Sequence, residues 1–116
     1  MSDAPCPVTA ELDRIAAEAN AIGVTVEAYY DDFHPDIHVA GLDRDVSDPS
    51  TKGNGGHVIS SICALADRIG ATVSIEHMTD ETRLGAYYAS FGFVPEANPA
   101  FITNMTRPAS SLQEAA

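Results

Sequence analysis

The sequence predicts an α+β fold with a mixed, mostly antiparallel sheet flanked by helices. The first observation is that apolar residues recur at helical spacing in three segments, at about 8–22, 55–69 and 80–91. The second is that the remaining ordered segments are short and rich in β-branched and aromatic residues, as strands are. The third is their order, which reads helix, two-stranded hairpin, helix, strand, helix and two strands.

Size and composition indicate one globular domain. The chain has 116 residues, of which 45% are hydrophobic, enough for a single core. Neither an internal repeat nor a domain boundary is evident. We therefore expect one domain over 1–116, with its core at about 8–107 and mobile ends at 1–6 and 108–116.

The first helix is predicted by a stripe of apolar residues spaced three or four apart. The stripe consists of Val8, Leu12, Ile15, Ala16, Ala19 and Ile22. Thr9 is the expected N-cap, Glu11 falls in the first turn, and Gly23 supplies the stop.

Two strands follow as an expected antiparallel hairpin. Val24–Tyr30 and Ile37–Val46 have strand composition, and a polar segment with Pro35 separates them. Ser47–Thr51 reads as a short loop.

The second half of the chain continues with two helices and three strands. The predicted elements are a helix from about Gly55 to Ile69 with Gly70 as its stop, a strand over Ala71–Met78, a helix capped by Thr79 or Asp80 and running to about Phe91, a short strand beginning at Phe93-Val94, and a last strand over Phe101–Thr106.

The charge balance excludes several classes of partner. The net charge is −11, and Lys52 is the single lysine. A surface this negative repels nucleic acids and anionic membranes, and it mildly favours a cationic substrate. No apolar run is long enough to span a bilayer, and the N-terminus lacks a secretory signal, so we expect a cytoplasmic protein.

A metal site is not expected. Cys6 and Cys63 lie far apart in sequence, without the spacing of a metal motif. His34 and His38 flank a turn instead of sharing one helix face, and no further ligand cluster accompanies them.

The glycine-rich turn Lys52-Gly53-Asn54-Gly55-Gly56 is the strongest local signal. It lies between a strand and a helix, where unpaired backbone N–H groups and the helix dipole attract anions. A P-loop requires its lysine after the glycines, and a dinucleotide fingerprint requires a glycine where this chain has Val58. Taken alone, the turn is either a phosphate site or a flexible loop.

The chain from 37 to 107 resembles the GNAT family of N-acetyltransferases. The matching segments are Ser50-Thr51-Lys52-Gly53-Asn54-Gly55 for the family's [QR]-x-x-G-x-[GA], the helix stop at Gly70, the strand Val73-Ser74-Ile75-Glu76, Tyr87-Tyr88-Ala89-Ser90-Phe91-Gly92-Phe93 for Y-x-x-x-G-F, and Asn104-Met105-Thr106-Arg107 for the final strand. Two positions depart from the pattern: Ser50 replaces Arg or Gln, and His57 replaces a small or apolar residue. The resemblance implies a small, trimmed member, similar to phage-type short acetyltransferases.

The resemblance also implies a GNAT-like fold and an activity. The chain would be an N-acetyltransferase that moves an acetyl group from acetyl-CoA directly to a primary amine of a small molecule or a protein lysine. The implied acetyl-CoA-binding residues are Asp45, Val46, Lys52, Gly53, Asn54, Gly55, Gly56, His57 and Tyr88.

Tyr88 is the implied general acid, because a phenol is protonated at neutral pH and can donate to the leaving sulfur. One of Tyr87 and Tyr88 should pack in the core, since adjacent helical residues point about 100° apart. The identity of the general base is left open between three carboxylates and one histidine. The candidates are Glu27 and Asp43 on the hairpin and Glu76 and His77 on the later strand.

The alternative function is a GNAT-fold binding or regulatory protein with weak or no activity, for example a phage-encoded inhibitor of a host protein. The acceptor of the enzyme is not specified by the sequence. Asp31–Asp36 and Pro95–Pro99 are candidate walls of its pocket, and a homodimer is a further possibility.

Overall fold

The fold is a five-stranded mixed sheet packed against three helices. A computed structural model describes residues 7–45 and 47–109. The elements are α1 (Pro7–Ala21), β1 (Val24–Asp31), β2 (Asp36–Arg44), α2 (Asn54–Ile69), β3 (Thr72–Met78), α3 (Thr82–Ala89), β4 (Val94–Pro95) and β5 (Ile102–Arg107). The predicted α+β class is confirmed, as is the hairpin of β1 and β2. The predicted mobile ends, apart from 108 and 109, lie outside the described residues.

The strand order is β1-β2-β3-β5-β4. Neighbouring strands are antiparallel except for β2 and β3, which run parallel. Parallel neighbours require a crossover, and α2 supplies it. The sheet is therefore mostly antiparallel, with one parallel pair at its centre.

Only one face of this sheet is covered. Side chains alternate between faces along a strand, and the buried strand residues all fall on one face. They are Val24, Val26, Ile37, Val39, Val73, Ile75, Thr103 and Met105. They join residues of α1, α2 and α3 in one hydrophobic cluster. The alternate residues, such as Thr25, Glu27 and Glu76, face solvent.

The helix α2 forms the middle of the core because its apolar stripe is broad. Its buried residues are Val58, Ile59, Ile62, Cys63, Leu65 and Ala66. Gly70 ends it in the left-handed conformation, with φ of 72°, as its position after the stripe predicts.

Arg107 fastens α2 and the end of α3 to β5. Its guanidinium donates to both carboxylate oxygens of Asp67 on α2, at 2.8 and 3.2 Å, and its Nε donates to the Phe91 carbonyl at 3.0 Å. The carboxylate raises the pKa of Arg107 further. These bonds hold the two helices that border the candidate site.

Several predicted boundaries move by a few residues. The first helix begins at Pro7, a favoured first helical position, so Thr9 lies inside it and is not its N-cap. The third helix begins at Thr82 and not at 80, because the Thr79 hydroxyl bonds to that of Thr103, at 2.8 Å, instead of capping. Helix α3 also ends at Ala89, two residues early.

Candidate functional site

The parallel strands β2 and β3 separate at their carboxyl ends. Their register runs from Asp36 opposite Thr72 to Val39 opposite Ile75, and no pair follows. Beyond that point β2 pairs with β1, and β3 pairs with β5. A cleft therefore opens in the centre of the sheet, between two strands that would otherwise be hydrogen-bonded.

A β-bulge lies where the cleft begins. Glu27 pairs with Gly41 and Ala28 pairs with Val39, so Ala40 is an extra residue in β2. A bulge leaves backbone groups unpaired and increases local twist. It therefore accounts for β2 turning away from β3 at this residue.

The N-terminus of α2 carries no cap of its own. The N-cap residue is Gly53, no side chain caps the helix, and no acidic residue lies in its first turn. The backbone N–H groups of Asn54 and Gly55 have no acceptor among the described residues, whereas that of Gly56 donates to the Gly53 carbonyl. A Cβ placed on Gly55 would meet nothing within 4 Å. This open, donor-lined position suits an anion.

The loop that leads into α2 is held rigidly. Thr51 is only 3% exposed, and its hydroxyl shares its one hydrogen between the Asp45 and Asp48 carbonyls, each 2.8 Å away, while accepting a bond from Arg44 at 3.1 Å. The Asn54 amide donates to the Ile22 carbonyl at 2.9 Å. The bare N-terminus is thus fixed relative to the end of β2.

Three cations, near the end of β2 and the starts of α2 and α3, have no carboxylate partner in the described part of the chain. Arg14, Arg68 and Arg107 form ion pairs with acidic residues. Arg44, Lys52 and Arg83 do not, and they lie at the end of β2, before α2 and in the first turn of α3. Positive charge therefore remains available at one edge of a strongly acidic protein.

Tyr87 reaches the N-terminus of α2. A Cβ built on Gly56 would lie 2.9 Å from the Tyr87 hydroxyl and 3.5 Å from Cζ of Phe91. Arg83 and Tyr87 are four residues apart and share one face of α3, and Phe91, just beyond its end, packs against Tyr87 at a ring-centroid distance of 5.3 Å. The sequence assigned the cofactor role to Tyr88 alone and missed this contact, although the four-residue spacing could have indicated it.

Tyr88 is the buried member of the pair. It is 5% exposed, with the rings of Tyr87, His77 and Phe93 at centroid distances of 5.9 to 6.1 Å. Its hydroxyl makes no hydrogen bond to a described residue, yet it is not sealed from water. Burial, followed by Tyr87 and Asp43, raises the pKa of Tyr88. The phenol thus stays protonated at neutral pH and can donate to a ligand.

The base candidates lie on different faces of the sheet. His77 alternates with Val73 and Ile75 on the covered face and lies beside Tyr88. Glu76 lies on the open face, as do Glu27 and Asp43. The structure therefore brings His77, and not Glu76, next to the proposed acid, and Asp43 lies close enough to it to raise its pKa.

The remaining predicted site residues are placed less favourably for a ligand. The Asp45 N–H already donates to the Gly23 carbonyl at 2.8 Å, and its carbonyl accepts the Thr51 hydroxyl. Val46 lies outside the described residues. His57 is exposed and lines a cavity toward α1, away from the Tyr87 side of α2.

Within the described ranges, 7–45 and 47–109, no three His, Cys, Asp or Glu side chains come together as a metal would require. None of the helices described is both long and apolar enough to cross a membrane.

Comparisons with known proteins concern the fold. No protein-family model and no curated protein matches the chain. Among solved structures, it is similar to the crystal structure of PH1933 from Pyrococcus horikoshii OT3, with a TM-score of 0.58 and 11% sequence identity. The match covers 75% of this chain and 57% of that one, so the chain spans less than two thirds of that protein. At this identity the similarity shows a shared fold.

Proposed function

We propose that the protein is an acetyl-CoA-dependent N-acetyltransferase with a GNAT-like fold. The observation that carries the proposal is the cleft between β2 and β3, flanked by the bare N-terminus of α2 and by the Tyr88 hydroxyl. A ligand with a pyrophosphate at one end and a thioester at the other suits these two features. The resemblance of the Gly53–Gly56 turn and the Tyr88–Phe93 segment to the family supports the same function.

Binding of the pyrophosphate would use backbone donors. The free N–H groups of Asn54 and Gly55 point at the ligand with the helix dipole behind them. Gly55 lets the phosphate approach without a side chain in the way. Lys52 and Arg44 would add charge nearby.

The reacting end would lie in the cleft, where the bulge at Ala40 frees backbone groups. The amine nitrogen attacks the thioester carbonyl, and the carbon–sulfur bond breaks. Tyr88, whose raised pKa keeps it protonated at neutral pH, gives its proton to the sulfur, and the phenolate regains one from the attacking nitrogen. Holding the amine against the thioester supplies the remaining acceleration.

Transfer is tested by measuring free thiol released from acetyl-CoA over a panel of primary amines. The proposal expects release that depends on both the amine and the folded protein. Absence of release with every amine, from protein that acetyl-CoA nevertheless stabilises, would leave a binding protein of the same fold.

That second candidate is favoured by the environment of Ser50. Its N–H and hydroxyl both donate to the Asp48 carboxylate, at 3.0 and 2.8 Å, so neither hydrogen is left to donate to a ligand. The position that carries Arg or Gln in the family therefore adds no contact to a phosphate here. The thiol assay separates the two candidates directly.

A further inference from the structure

A cavity of about 430 Å³ lies between α3 and the strands β3, β4 and β5. Its walls come from α3, from β5 and from the segment that joins β4 to β5. They are mainly small or apolar, and include Gly85, Ala86, Ala89, Pro95, Pro99 and Met105. This volume falls within the range of roughly 300–1,000 Å³ that small-molecule pockets occupy.

The cavity and the α2 N-terminus contact different faces of α3. Gly85, Ala86 and Ala89 face the cavity, whereas Tyr87 and Phe91 face Gly56. Tyr88 projects between these two faces of α3. A ligand in the cavity and a ligand at α2 would therefore contact different faces of α3 and would not overlap.

His77 connects the cavity to Tyr88. It lines the cavity, and its ring centroid lies 6.1 Å from that of Tyr88. Its Nδ1 lies 2.7 Å from the Met78 carbonyl, which can only accept, so Nδ1 carries the hydrogen. In the neutral ring, the free lone pair is then on Nε2.

Gly85 leaves room for that nitrogen. A Cβ at Gly85 would lie 3.1 Å from both Nε2 and Cε1 of His77. With glycine there, no side chain covers this edge of the imidazole from α3. The Nε2 edge therefore packs against α3 at Gly85, and both residues form part of the cavity wall.

The charges around the cavity favour an ammonium group. Glu96 is the one carboxylate that lines it, and its Oε2 accepts from the Asn104 N–H at 2.7 Å, which fixes its position. Lysine and arginine are absent from the lining. The chain's net charge of −11 adds a general attraction for cations.

We propose that this cavity holds the acceptor, a small primary amine on an apolar body, and that His77 is its general base. The inference rests on the proposed acetyl transfer. His77 Nε2 removes one proton from the ammonium, and the freed nitrogen lone pair forms the bond to the acetyl carbon. As the carbon–sulfur bond breaks, Tyr88 protonates the sulfur, and the phenolate recovers a proton from the second N–H through water. The products are the acetamide, the free thiol and one proton on His77.

The binding part is tested without acetyl-CoA, by titrating phenethylamine or spermidine into labelled protein and following amide and imidazole NMR shifts. We expect saturable shifts at His77, Gly85 and Ala86 with phenethylamine, and much smaller ones with spermidine. Ala86→Leu should weaken phenethylamine binding by about tenfold, because an overfilled site costs about that factor. Ala64→Leu on the exposed face of α2 is the control and should bind normally. Shifts confined to other surfaces, or equal binding by Ala86→Leu, would overturn the assignment.

The role of His77 is tested by the pH profile of His77→Gln. Turnover at neutral pH should fall by about 10²-fold or more, with the KM for acetyl-CoA unchanged. The deficit should shrink at a pH where the amine is already neutral, which a merely structural role would not produce. A deficit independent of pH would refute the base assignment. If the wild-type protein does not bind acetyl-CoA, the proposed function is refuted. The amine titration would still show whether the cavity binds an amine.

Discussion

Tyr88 combines a buried ring with a hydroxyl that makes no hydrogen bond to a described residue. Tyr88→Phe keeps the ring and removes only the proton donor. We expect kcat to fall by about 10²–10⁴-fold, with the dissociation constant of acetyl-CoA nearly unchanged. Steady-state kinetics and calorimetry measure the two quantities. A variant that retains full turnover would show that the leaving sulfur is protonated elsewhere.

The raised pKa of Tyr88 also makes stability depend on alkaline pH. The folded state holds the phenolic proton more tightly than the unfolded chain, so its stabilising contribution is complete below the ordinary tyrosine pKa. That contribution is lost as the pH rises through about 10 and beyond. Denaturation curves should show a smaller alkaline decline of the unfolding free energy for Tyr88→Phe than for the wild type. An identical decline in both proteins would assign it to other groups.

Gly55 is the residue at which a charge should interfere most with an anionic ligand. Gly55→Glu places a carboxylate beside the free N–H groups, so the affinity for acetyl-CoA should drop by about tenfold or more. The same change should stabilise the helix by about 1 kcal/mol, since glycine is a poor helix former and an acid at the first turn suits the dipole.

Ser60→Glu provides the matched control, because it adds the same charge on the exposed surface of α2, beyond its first turn. Calorimetry of both variants should show weakened binding for Gly55→Glu alone. Equal affinities would mean that the ligand does not bind at the helix N-terminus.

Among the elements, β5 holds α2 and α3 together through Arg107. Arg107→Lys cannot reproduce two bonds to Asp67 and one to the Phe91 carbonyl, because an ammonium lacks the planar fork. We expect a loss of about 1–3 kcal/mol in the free energy of unfolding.

Arg68→Lys is the control for that variant, since its pair with Glu11 is exposed and 3.8 Å long and should matter by less than about 0.5 kcal/mol. Urea denaturation measures both. Equal stabilities would show that the Arg107 contacts are not maintained in solution.

The types and order of the helices and strands could be predicted from the spacing of hydrophobic residues. The candidate site could not, because it depends on features that leave no such spacing. Helix α2 could be predicted because its buried residues recur every three to four positions, and its end could be predicted because Gly70 follows the last of them. The bulge at Ala40 was not, because one extra residue in a strand leaves no periodic signal. Similarly, which of Tyr87 and Tyr88 is buried depends on the rotation of the helix about its axis, and that rotation could not be predicted without knowing where α3 begins.

On the scale of the whole molecule, the domain is a one-sided sheet with a single core, so ligand binding at the cleft should stabilise it as a unit. At acetyl-CoA concentrations about 100-fold above the dissociation constant, the free energy of unfolding should rise by about 2.7 kcal/mol. Thermal unfolding with and without acetyl-CoA measures this rise. An unchanged melting temperature at millimolar ligand would argue against any acetyl-CoA site.

The distribution of charge over the molecule explains why the sequence did not predict a cluster of unpaired cations near the cleft. A net charge of −11 predicts repulsion of polyanions in general. The fold pairs Arg14, Arg68 and Arg107 with acids and leaves Arg44, Lys52 and Arg83 at one edge. That segregation is a property of tertiary structure, and composition alone does not contain it.

The most direct test of the central claim is an amide NMR titration of the labelled protein with acetyl-CoA. If the cleft is the acetyl-CoA site, saturable shifts should concentrate at Gly53–His57, at Ala40-Gly41 and at Tyr88. Residues of the open face far from the cleft, such as Thr25, should be unaffected. Shifts confined to residues remote from the cleft, such as Thr25, or no saturable shift at all, would contradict the account.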